Sequence, residues 1–236
     1  YWPDCPYPVY LAANKKSFNH NDVTTLLSGQ DTDWSSSIMR SVEQLDAERI
    51  LFFYDDAFID KKVDTQHVEK MFNWAYDNDV SYFRLRAAPP PDQKVDEDIG
   101  IIHQGSLYRT SLFTSFVKKD VFLSMIRDGE TAWAFEMAGI ERSSPYDDFY
   151  STYSTAFSYI HGVEKGIWYK SAIDKIEFLG GIVDKEKRAI MSAGDERKIW
   201  ILSFKGKFLK LFPPAWRPKI LNAARKFYKL MRRKGY

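Results

Sequence analysis

The sequence predicts an α/β protein with a mainly parallel sheet. Apolar runs typical of strands alternate with segments of helical periodicity along the chain, which is the pattern of strand–helix–strand units. The most apolar of these runs, residues 49–54, is of the kind that a parallel sheet buries on both faces. Hydrophobic residues make up 44% and charged residues 28% of the 236 residues, as in an ordinary folded domain.

Local patterns predict the elements one by one. Apolar and β-branched runs predict strands, at residues 8–12, 23–27, 49–54, 81–85 and 108–116. Apolar residues at helical spacing predict a helix that begins near Asp33, with Asp33 or Ser35 as its N-cap. The same spacing predicts two more helices, over residues 63–78 and 119–127. Three consecutive prolines, 89–91, predict an extended loop.

Composition restricts the classes of protein to be considered. The single cysteine, Cys5, excludes an internal disulfide and a cysteine-based zinc site, and it fits a reducing cytoplasm. No run of 18 apolar residues is present, so we expect no transmembrane helix, and the first residues do not have the pattern of a signal peptide. The chain has no glycine-rich phosphate loop, which argues against P-loop and dinucleotide-dependent enzymes.

Charge is distributed unevenly along the chain. Residues 204–236 contain 11 of the 34 basic residues and no acidic residue. The other residues therefore carry all 32 acidic residues against 23 basic ones. We expect an acidic domain over residues 1–203 and a separate basic tail over residues 204–236.

The end of the apolar run 49–54 is the most informative functional signal. Two adjacent carboxylates, Asp55 and Asp56, follow it, and ligands of α/β sheets bind outside the carboxyl ends of the strands. Adjacent carboxylates repel each other and gain from a bound hard cation. The pair is therefore a candidate site for Mn²⁺ or Mg²⁺ that holds a diphosphate. A solvated turn or a helix cap is the other interpretation.

Several segments of the chain resemble bacterial glycosyltransferases of O-antigen and capsule polysaccharide biosynthesis. The acidic pair at the end of an apolar strand is similar to the donor-site motif of that family. The other similar segments follow the order and spacing found in the family and cover about residues 1 to 170; they are residues 1–11, 31–36, 108–112, 133–139 and 163–168.

The resemblance implies a GT-A fold, which is a Rossmann-like sheet with a nucleotide-sugar site and an acceptor site beside it. It also implies that Asp56 binds the metal and that Asp55 contacts the ribose or supports the metal site. The chain departs from the family in its motif, Tyr54-Asp55-Asp56 instead of a full Asp-x-Asp. It also begins after the strand and loop that hold the nucleotide base, and we expect that element upstream of Tyr1.

An inverting transferase needs a carboxylate that takes the proton from the acceptor hydroxyl. Glu136 is the candidate base, because Trp133 precedes it by three residues and both side chains would lie on one face of a helix. The Trp133 ring would then stack on the acceptor sugar. A surface glutamate on an ordinary helix is the alternative, and Asp147 and Asp148 form the second candidate base.

Three further residues are candidates for the site. Arg109 and Arg142 are candidates for contacts with the acceptor, and the alternative for each is a structural ion pair or a contact at a helix end. His161 is a candidate third metal ligand, as near the end of some GT-A domains. The alternative for His161 is an ordinary polar histidine.

The basic tail predicts an amphipathic helix that begins near Pro218. Its apolar face includes Ile220 and Phe227, Arg225 and Lys229 contribute to its basic face, and Trp216 precedes it as an interfacial anchor. Such a helix is typical of binding to an anionic membrane surface. Packing on the domain or on a partner enzyme is left open. Nucleic-acid binding is disfavoured, because the aromatic residues lie on the apolar face.

These patterns together predict a metal-dependent, inverting glycosyltransferase. It would move a sugar from a nucleotide-sugar, expected to be a UDP-sugar, to a lipid-linked saccharide during cell-surface polysaccharide synthesis. It would act in the cytoplasm, peripherally on the inner face of the cell membrane. One alternative is a metal-dependent phosphoryl-transfer enzyme that uses the same acidic pair. Another is a non-catalytic carbohydrate-binding or scaffold protein of a polysaccharide assembly complex.

Overall fold

A six-stranded mixed sheet with helices on both faces organises the first part of the chain. The structure is a computed structural model that describes residues 1–164 and 166–197. The chain divides into two compact units, Tyr1–Ile160 and His161–Tyr236. The first unit contains, in chain order, β1 (Val9–Ala13), β2 (Val23–Leu27), α1 (Trp34–Glu43), β3 (Arg49–Leu51), β4 (Ala57–Ile59), α2 (Thr65–Asp77), β5 (Tyr82–Arg84), β6 (Gln93–Lys94), β7 (Ile99–Ile101), β8 (Ser115–Lys118), α3 (Lys119–Met125), α4 (Ala132–Arg142) and β9 (Phe149–Thr152), and it ends within β10 (Tyr159–His161).

The main sheet is mixed, so the prediction of a mainly parallel sheet is wrong. Its strand order is β3-β8-β5-β9-β7-β6. Only β5 and β9 pair in parallel, and every other neighbouring pair is antiparallel. The strand expected to be buried on both faces, β3, lies at the end of this order and is only partly buried. Outside the main sheet, β1 pairs in parallel with β2, and β10 pairs with β4.

Two hydrophobic clusters cover the two faces of the main sheet. Successive side chains of a strand point to opposite faces, and Tyr82 and Phe83 of β5 accordingly belong to different clusters. The Tyr82 cluster includes buried residues of α1, α3 and α4, whereas the Phe83 cluster includes Val68, Phe72 and other buried residues of α2. The sheet is therefore the middle layer of three, which is the arrangement expected for an α/β protein.

Aspartate caps fix the starts of α1 and α2. Asp33 accepts hydrogen bonds from the backbone N–H of Ser36 (2.8 Å) and the hydroxyl of Ser35 (2.7 Å), which confirms the predicted start of the first helix. These bonds, the one from the Ser36 N–H above all, hold the pKa of Asp33 far below its ordinary value. Asp64 accepts from the N–H of His67 (3.0 Å), so α2 begins two residues after the predicted position.

The predicted strand 108–116 forms only in its last residues. Tyr108 and Thr114 have φ values of 56° and 55°, in the left-handed region that a continuous strand does not allow. Residues 107–110 and 113–114 therefore form turns, and β8 begins at Ser115. This segment lies beside Glu136 and Tyr54.

The second unit is described as far as residue 197. It contains β11 (Val163–Glu164) and β12 (Ile167–Trp168), which pair antiparallel, and α5 (Lys170–Phe178). Within the described residues, no helix has the length and apolar character needed to cross a membrane. The predicted boundary at residue 203 and the tail residues Trp216, Ile220, Arg225, Phe227 and Lys229 lie outside the described residues and stay predictions.

Replacement of Gly139 by alanine tests the close approach of α4 to the turn before β8. A Cβ at Gly139 would lie 2.8 Å from Cβ and 2.9 Å from Cγ2 of Thr110, a side chain that is itself buried. We expect Gly139→Ala to lower the free energy of unfolding by about 1–3 kcal/mol, because overpacking outweighs the better helix propensity of alanine. Urea denaturation measures the change.

The matched control for this variant is Gly194→Ala. The added Cβ at Gly194 would meet only Ser192 Oγ, at 3.7 Å. We expect no loss of stability there. Equal effects of the two substitutions would contradict the tight packing of α4 on Thr110.

Candidate functional site

The ends of several strands meet at one edge of the main sheet. Because β8 lies between β3 and β5 and is antiparallel to both, its start lies beside their carboxyl ends. Phe52, after β3, donates to the carbonyl of Ser115 and accepts from the N–H of Thr114, both at 2.9 Å. Leu85, after β5, donates to the carbonyl of Thr114 (2.9 Å). We call residues 52–56, 85–86 and 111–114 the carboxyl edge.

The acidic pair lies in a turn of this edge. Asp55 and Asp56 occupy the turn between β3 and β4, and the N–H of Ala57 donates to the carbonyl of Tyr54 across it (3.3 Å). Asp55 is exposed and Asp56 is half-buried. The pair follows β3 in the chain, but the regular strand ends at Leu51 and not at residue 54 as predicted.

The side chain of Tyr54 connects the acidic turn to α4. Its hydroxyl donates to Oε1 of Glu136 (3.3 Å), and its ring stacks on Phe113 with 5.6 Å between centroids. Burial raises the pKa of Tyr54 well above its ordinary value, and the Glu136 carboxylate raises it further. Tyr54 therefore keeps its proton and acts as a hydrogen-bond donor at neutral pH.

Glu136 is held in place by one of its two carboxylate oxygens. Oε1 also accepts the backbone N–H of Leu112 (2.9 Å). Oε2 makes no hydrogen bond within residues 1–164 and 166–197. Glu136 lies on α4 as predicted, and it is half-buried, so the interpretation as an ordinary surface glutamate does not describe its contacts. A carboxylate anchored through one oxygen keeps the other for a proton, which is compatible with the role of a general base.

Trp133 lies one turn before Glu136 on α4, as the sequence predicts. Its side chain is 68% exposed, which is unusual for the largest apolar side chain. An exposed ring at this spacing from a carboxylate is suited to stacking on a sugar face.

The two arginines predicted to contact the acceptor have structural contacts instead. Arg109 is fully buried and donates to the backbone carbonyls of Ile102, Ser143 and Tyr146, and its guanidinium lies 4.3 Å from the centre of the Phe149 ring. Ser143 is the C-cap of α4, so Arg109 has the helix-end contact that was the alternative.

Arg142 has the alternative structural role too, since it forms an ion pair. Its Nη2 lies 2.8 Å from Oε1 of Glu130, and its Nη1 donates to the carbonyl of Met125 (2.9 Å). These contacts occupy the guanidinium with groups of the protein. Neither arginine is therefore available to the acceptor in the way the sequence suggested.

The second candidate base lies at the wrong edge of the sheet. Asp147 and Asp148 precede β9, and the carboxylate of Asp148 accepts the N–H of Ser81, just before β5 (2.8 Å). Because β5 and β9 are parallel and begin at the same edge, these aspartates lie opposite the carboxyl edge. Asp148 has a structural contact at that position.

His161 belongs to the second unit and lies 3.7 Å from a carboxylate oxygen of Glu164 there. Among the described residues, no three His, Cys, Asp or Glu side chains are grouped so as to hold a metal ion. The acidic pair itself offers two carboxylates. That number fits Mg²⁺, which proteins usually hold through one or two carboxylates together with substrate phosphates.

Three residues of the carboxyl edge were not predicted as site residues from the sequence: Tyr54, Arg86 and Phe113. Arg86 follows β5, is half-buried, and donates from Nη1 to the hydroxyl of Tyr159 (3.1 Å). Its guanidinium lies 5.5 Å from the centre of the Phe113 ring. Ligands bind outside the carboxyl ends of strands, and residues 85–86 follow a predicted strand just as residues 55–56 do. Arg86 could therefore have been predicted as a site residue.

The Arg142–Glu130 pair predicts a pH dependence of stability. The Arg142 guanidinium lowers the pKa of Glu130 from its ordinary value of 4.5. The ionised carboxylate therefore stabilises the folded state above pH 4.5, and this stabilisation is lost as the pH falls through the lower folded-state pKa. We expect wild type and Glu130→Gln to differ most in free energy of unfolding above pH 4.5 and to converge in stronger acid.

Urea denaturation at a series of pH values measures this difference. Glu141→Gln, at an exposed position on α4, serves as the control and should show no such pH-dependent difference. A gap between wild type and Glu130→Gln that stays constant across the acid range would show that the ion pair does not stabilise the fold.

Comparison with known proteins identifies no relative. No protein-family model, no curated protein and no solved structure matches the chain. The functional interpretation therefore depends on the geometry of the carboxyl edge and on the resemblance of the sequence segments described above.

Proposed function

We propose that the chain is a metal-dependent glycosyltransferase with a GT-A fold. It would transfer a sugar from a nucleotide-sugar, a UDP-sugar in the first instance, to a lipid-linked saccharide during cell-surface polysaccharide synthesis. The observation that carries the proposal is the hydrogen bond between Tyr54 and Glu136 (3.3 Å). It joins the turn of the acidic pair to the candidate base, so that a donor site and a proton acceptor lie in one region of the first unit.

In the proposed reaction, Glu136 accepts a proton and the acidic pair binds the donor diphosphate through a metal. The acceptor hydroxyl oxygen attacks the anomeric carbon, the bond between that carbon and the diphosphate breaks, and the anomeric centre inverts. The hydroxyl proton passes to Oε2 of Glu136, the oxygen that has no partner within the described residues. Asp55 and Asp56 would hold a divalent cation, which would supply positive charge next to the leaving diphosphate.

Tyr54 and the Leu112 N–H position the base. Both donate to Oε1 of Glu136, at 3.3 Å and 2.9 Å, and so fix the orientation of the carboxylate. The stacking of Tyr54 on Phe113 keeps the phenol in place. A base that is already oriented avoids the entropic cost of finding its geometry during the reaction.

The acceptor sugar is assigned to the exposed face of α4. Trp133 offers an exposed ring one turn from Glu136, and a sugar stacked on it would present a hydroxyl toward the carboxylate. This assignment leaves Arg109 and Arg142 out of acceptor binding, because both are occupied by other groups of the protein.

Attachment to the inner face of the cell membrane is part of the proposal and depends on the sequence of residues 204–236. Their 11 basic and no acidic residues favour an anionic surface, and a lipid-linked acceptor would be presented at such a surface.

Two substitutions separate donor binding from proton transfer. We expect Glu136→Gln to lower the turnover number by roughly 10²–10⁴-fold while nucleotide binding is retained, because only the general base is removed. Asp56→Asn should instead weaken Mn²⁺-dependent binding of UDP, because the metal loses a charged ligand. Release of UDP from UDP-sugars in the presence of a saccharide acceptor measures turnover, and thermal shift with UDP and Mn²⁺ measures binding.

Glu141→Gln and Asp46→Asn, at exposed positions, are the controls for these variants and should behave as wild type does. Full turnover in Glu136→Gln would remove Glu136 from the role of base. Release of phosphate from simple phosphate esters, with no dependence on an acceptor sugar, would favour a phosphoryl-transfer enzyme. Sugar binding with no turnover in the wild type would favour a non-catalytic carbohydrate-binding protein.

Deletion of residues 204–236 tests membrane attachment. We expect the full chain to sediment with vesicles that contain anionic lipid and the deletion variant to stay in the supernatant, because each basic residue near such a surface contributes about 1 kcal/mol. Vesicles of zwitterionic lipid are the control and should retain much less of the full chain. Unchanged sedimentation of the deletion variant would refute the role of the tail.

A further inference from the structure

Arg86 is an arginine at the carboxyl edge with few of its donors used. Its Nη1 donates to the Tyr159 hydroxyl (3.1 Å), and its guanidinium lies over the Phe113 ring. Its Nε is buried and has no hydrogen-bond partner, and its Nη2 makes no hydrogen bond in the described part of the chain. Arg86 also forms no ion pair with any described carboxylate.

Two fully buried arginines of the first unit, Arg84 and Arg109, direct their guanidinium groups to backbone carbonyls. Arg84 donates from Nη1 to the carbonyl of Tyr108 (2.9 Å) and from Nη2 to the carbonyl of Pro89 (2.7 Å). Arg109 likewise uses all three of its nitrogens on backbone carbonyls. Leaving a buried charged donor without an acceptor is costly, so the buried, unpartnered Nε of Arg86, beside the unused Nη2, indicates a site for an anion.

The backbone around Arg86 is fixed by buried groups. The carbonyl of Arg86 accepts from Nε of Arg84 (3.2 Å) and from the hydroxyl of Ser151 (3.1 Å), and both of these residues are buried. The side chain donates to the Tyr159 hydroxyl and lies over the Phe113 ring, and these two rings pack against each other with 4.5 Å between centroids. The guanidinium is therefore positioned before any ligand arrives, which lowers the entropic cost of binding one.

Arg86 is also placed beside the acidic turn. Phe113 is in contact with the Arg86 guanidinium, at 5.5 Å, and with the stacked ring of Tyr54, at 5.6 Å, and Tyr54 directly precedes Asp55. A cation held by the acidic pair would then lie in the same region as the guanidinium. Two positive groups near each other suit an anion with several oxygens and more than one charge.

We propose that Arg86 binds a diphosphate group at the carboxyl edge. The guanidinium offers a planar fork of donors that matches phosphate oxygens, whereas a lysine at this position would offer only a point charge. Assignment of this group to the nucleoside diphosphate of the sugar donor rests on the proposed function. Binding of a diphosphate as such does not depend on it.

Calorimetric titration of the full chain tests the proposal. The probes are UDP, inorganic pyrophosphate and farnesyl diphosphate, each in a constant excess of Mg²⁺. We expect Arg86→Gln to weaken the binding of UDP and pyrophosphate at least about tenfold, because charge-assisted hydrogen bonds to the phosphate are lost. Arg86→Lys should lie between Arg86→Gln and wild type, because it keeps the charge but not the fork. Lys70→Gln, at an exposed position on α2, removes the same charge and should bind as wild type does.

The arms of the experiment distinguish the source of the diphosphate. A loss confined to farnesyl diphosphate supports the site but assigns it to a lipid carrier instead of a nucleotide. Wild-type affinity for all three probes in Arg86→Gln, no binding of any probe by the wild type, or equal losses in Lys70→Gln would each overturn the proposal. If Arg86→Gln does not unfold cooperatively, Arg86→Lys decides by the same criteria.

The experiments can contradict the proposed function and the proposed role of Arg86 independently of each other. Arg86-dependent diphosphate binding in a protein that transfers no sugar would leave the anion site standing and remove the glycosyltransferase. If the protein releases UDP only with an acceptor, but Arg86→Gln binds diphosphates as wild type does, the glycosyltransferase stands and the anion site at Arg86 is removed.

Discussion

The antiparallel pairing of β8 with both β3 and β5 is the constraint on which the candidate site depends. This pairing sets the start of β8 beside the carboxyl ends of its two neighbours. The residues just before β8, Leu112 and Phe113, therefore reach Glu136 and Tyr54. In a sheet where every neighbour was parallel, the start of one strand would lie opposite these ends, and neither contact could form.

Structural features that depend on residues close together in the chain were predicted from the sequence. The Asp33 cap depends on the next three residues, and α2 depends on the spacing of its own apolar side chains, so both were predicted close to their observed positions. The direction of β8 depends on pairing with strands far away in the chain, and no local pattern reports it. The left-handed residues Tyr108 and Thr114 are neither glycine nor asparagine, so composition gave no warning that the apolar run 108–116 turns before it becomes a strand.

The same difference between local and long-range information explains the candidate site. The position of Asp55 and Asp56 after an apolar strand and the spacing of Trp133 and Glu136 are local, and both were predicted. The anchoring of Glu136 by the Leu112 N–H joins residues 24 positions apart and is visible only in the fold. Tyr54 was counted as the last apolar residue of a strand, although its hydroxyl is the group that links the acidic turn to α4.

The arginines of the first unit differ in burial, and this difference separates those that stabilise the fold from the one proposed to bind a ligand. Burial lowers the pKa of Arg84 and of Arg109, and both are compensated by backbone carbonyls that their planar guanidinium groups bridge. Such contacts hold turns together, and because both side chains are fully buried, their remaining N–H groups are not accessible to a ligand. Arg86 follows Arg84 by two residues, and the carbonyl of Arg86 is itself held by Arg84. The buried arginine thus fixes the backbone from which the less buried one projects, and only the second keeps donors for an anion.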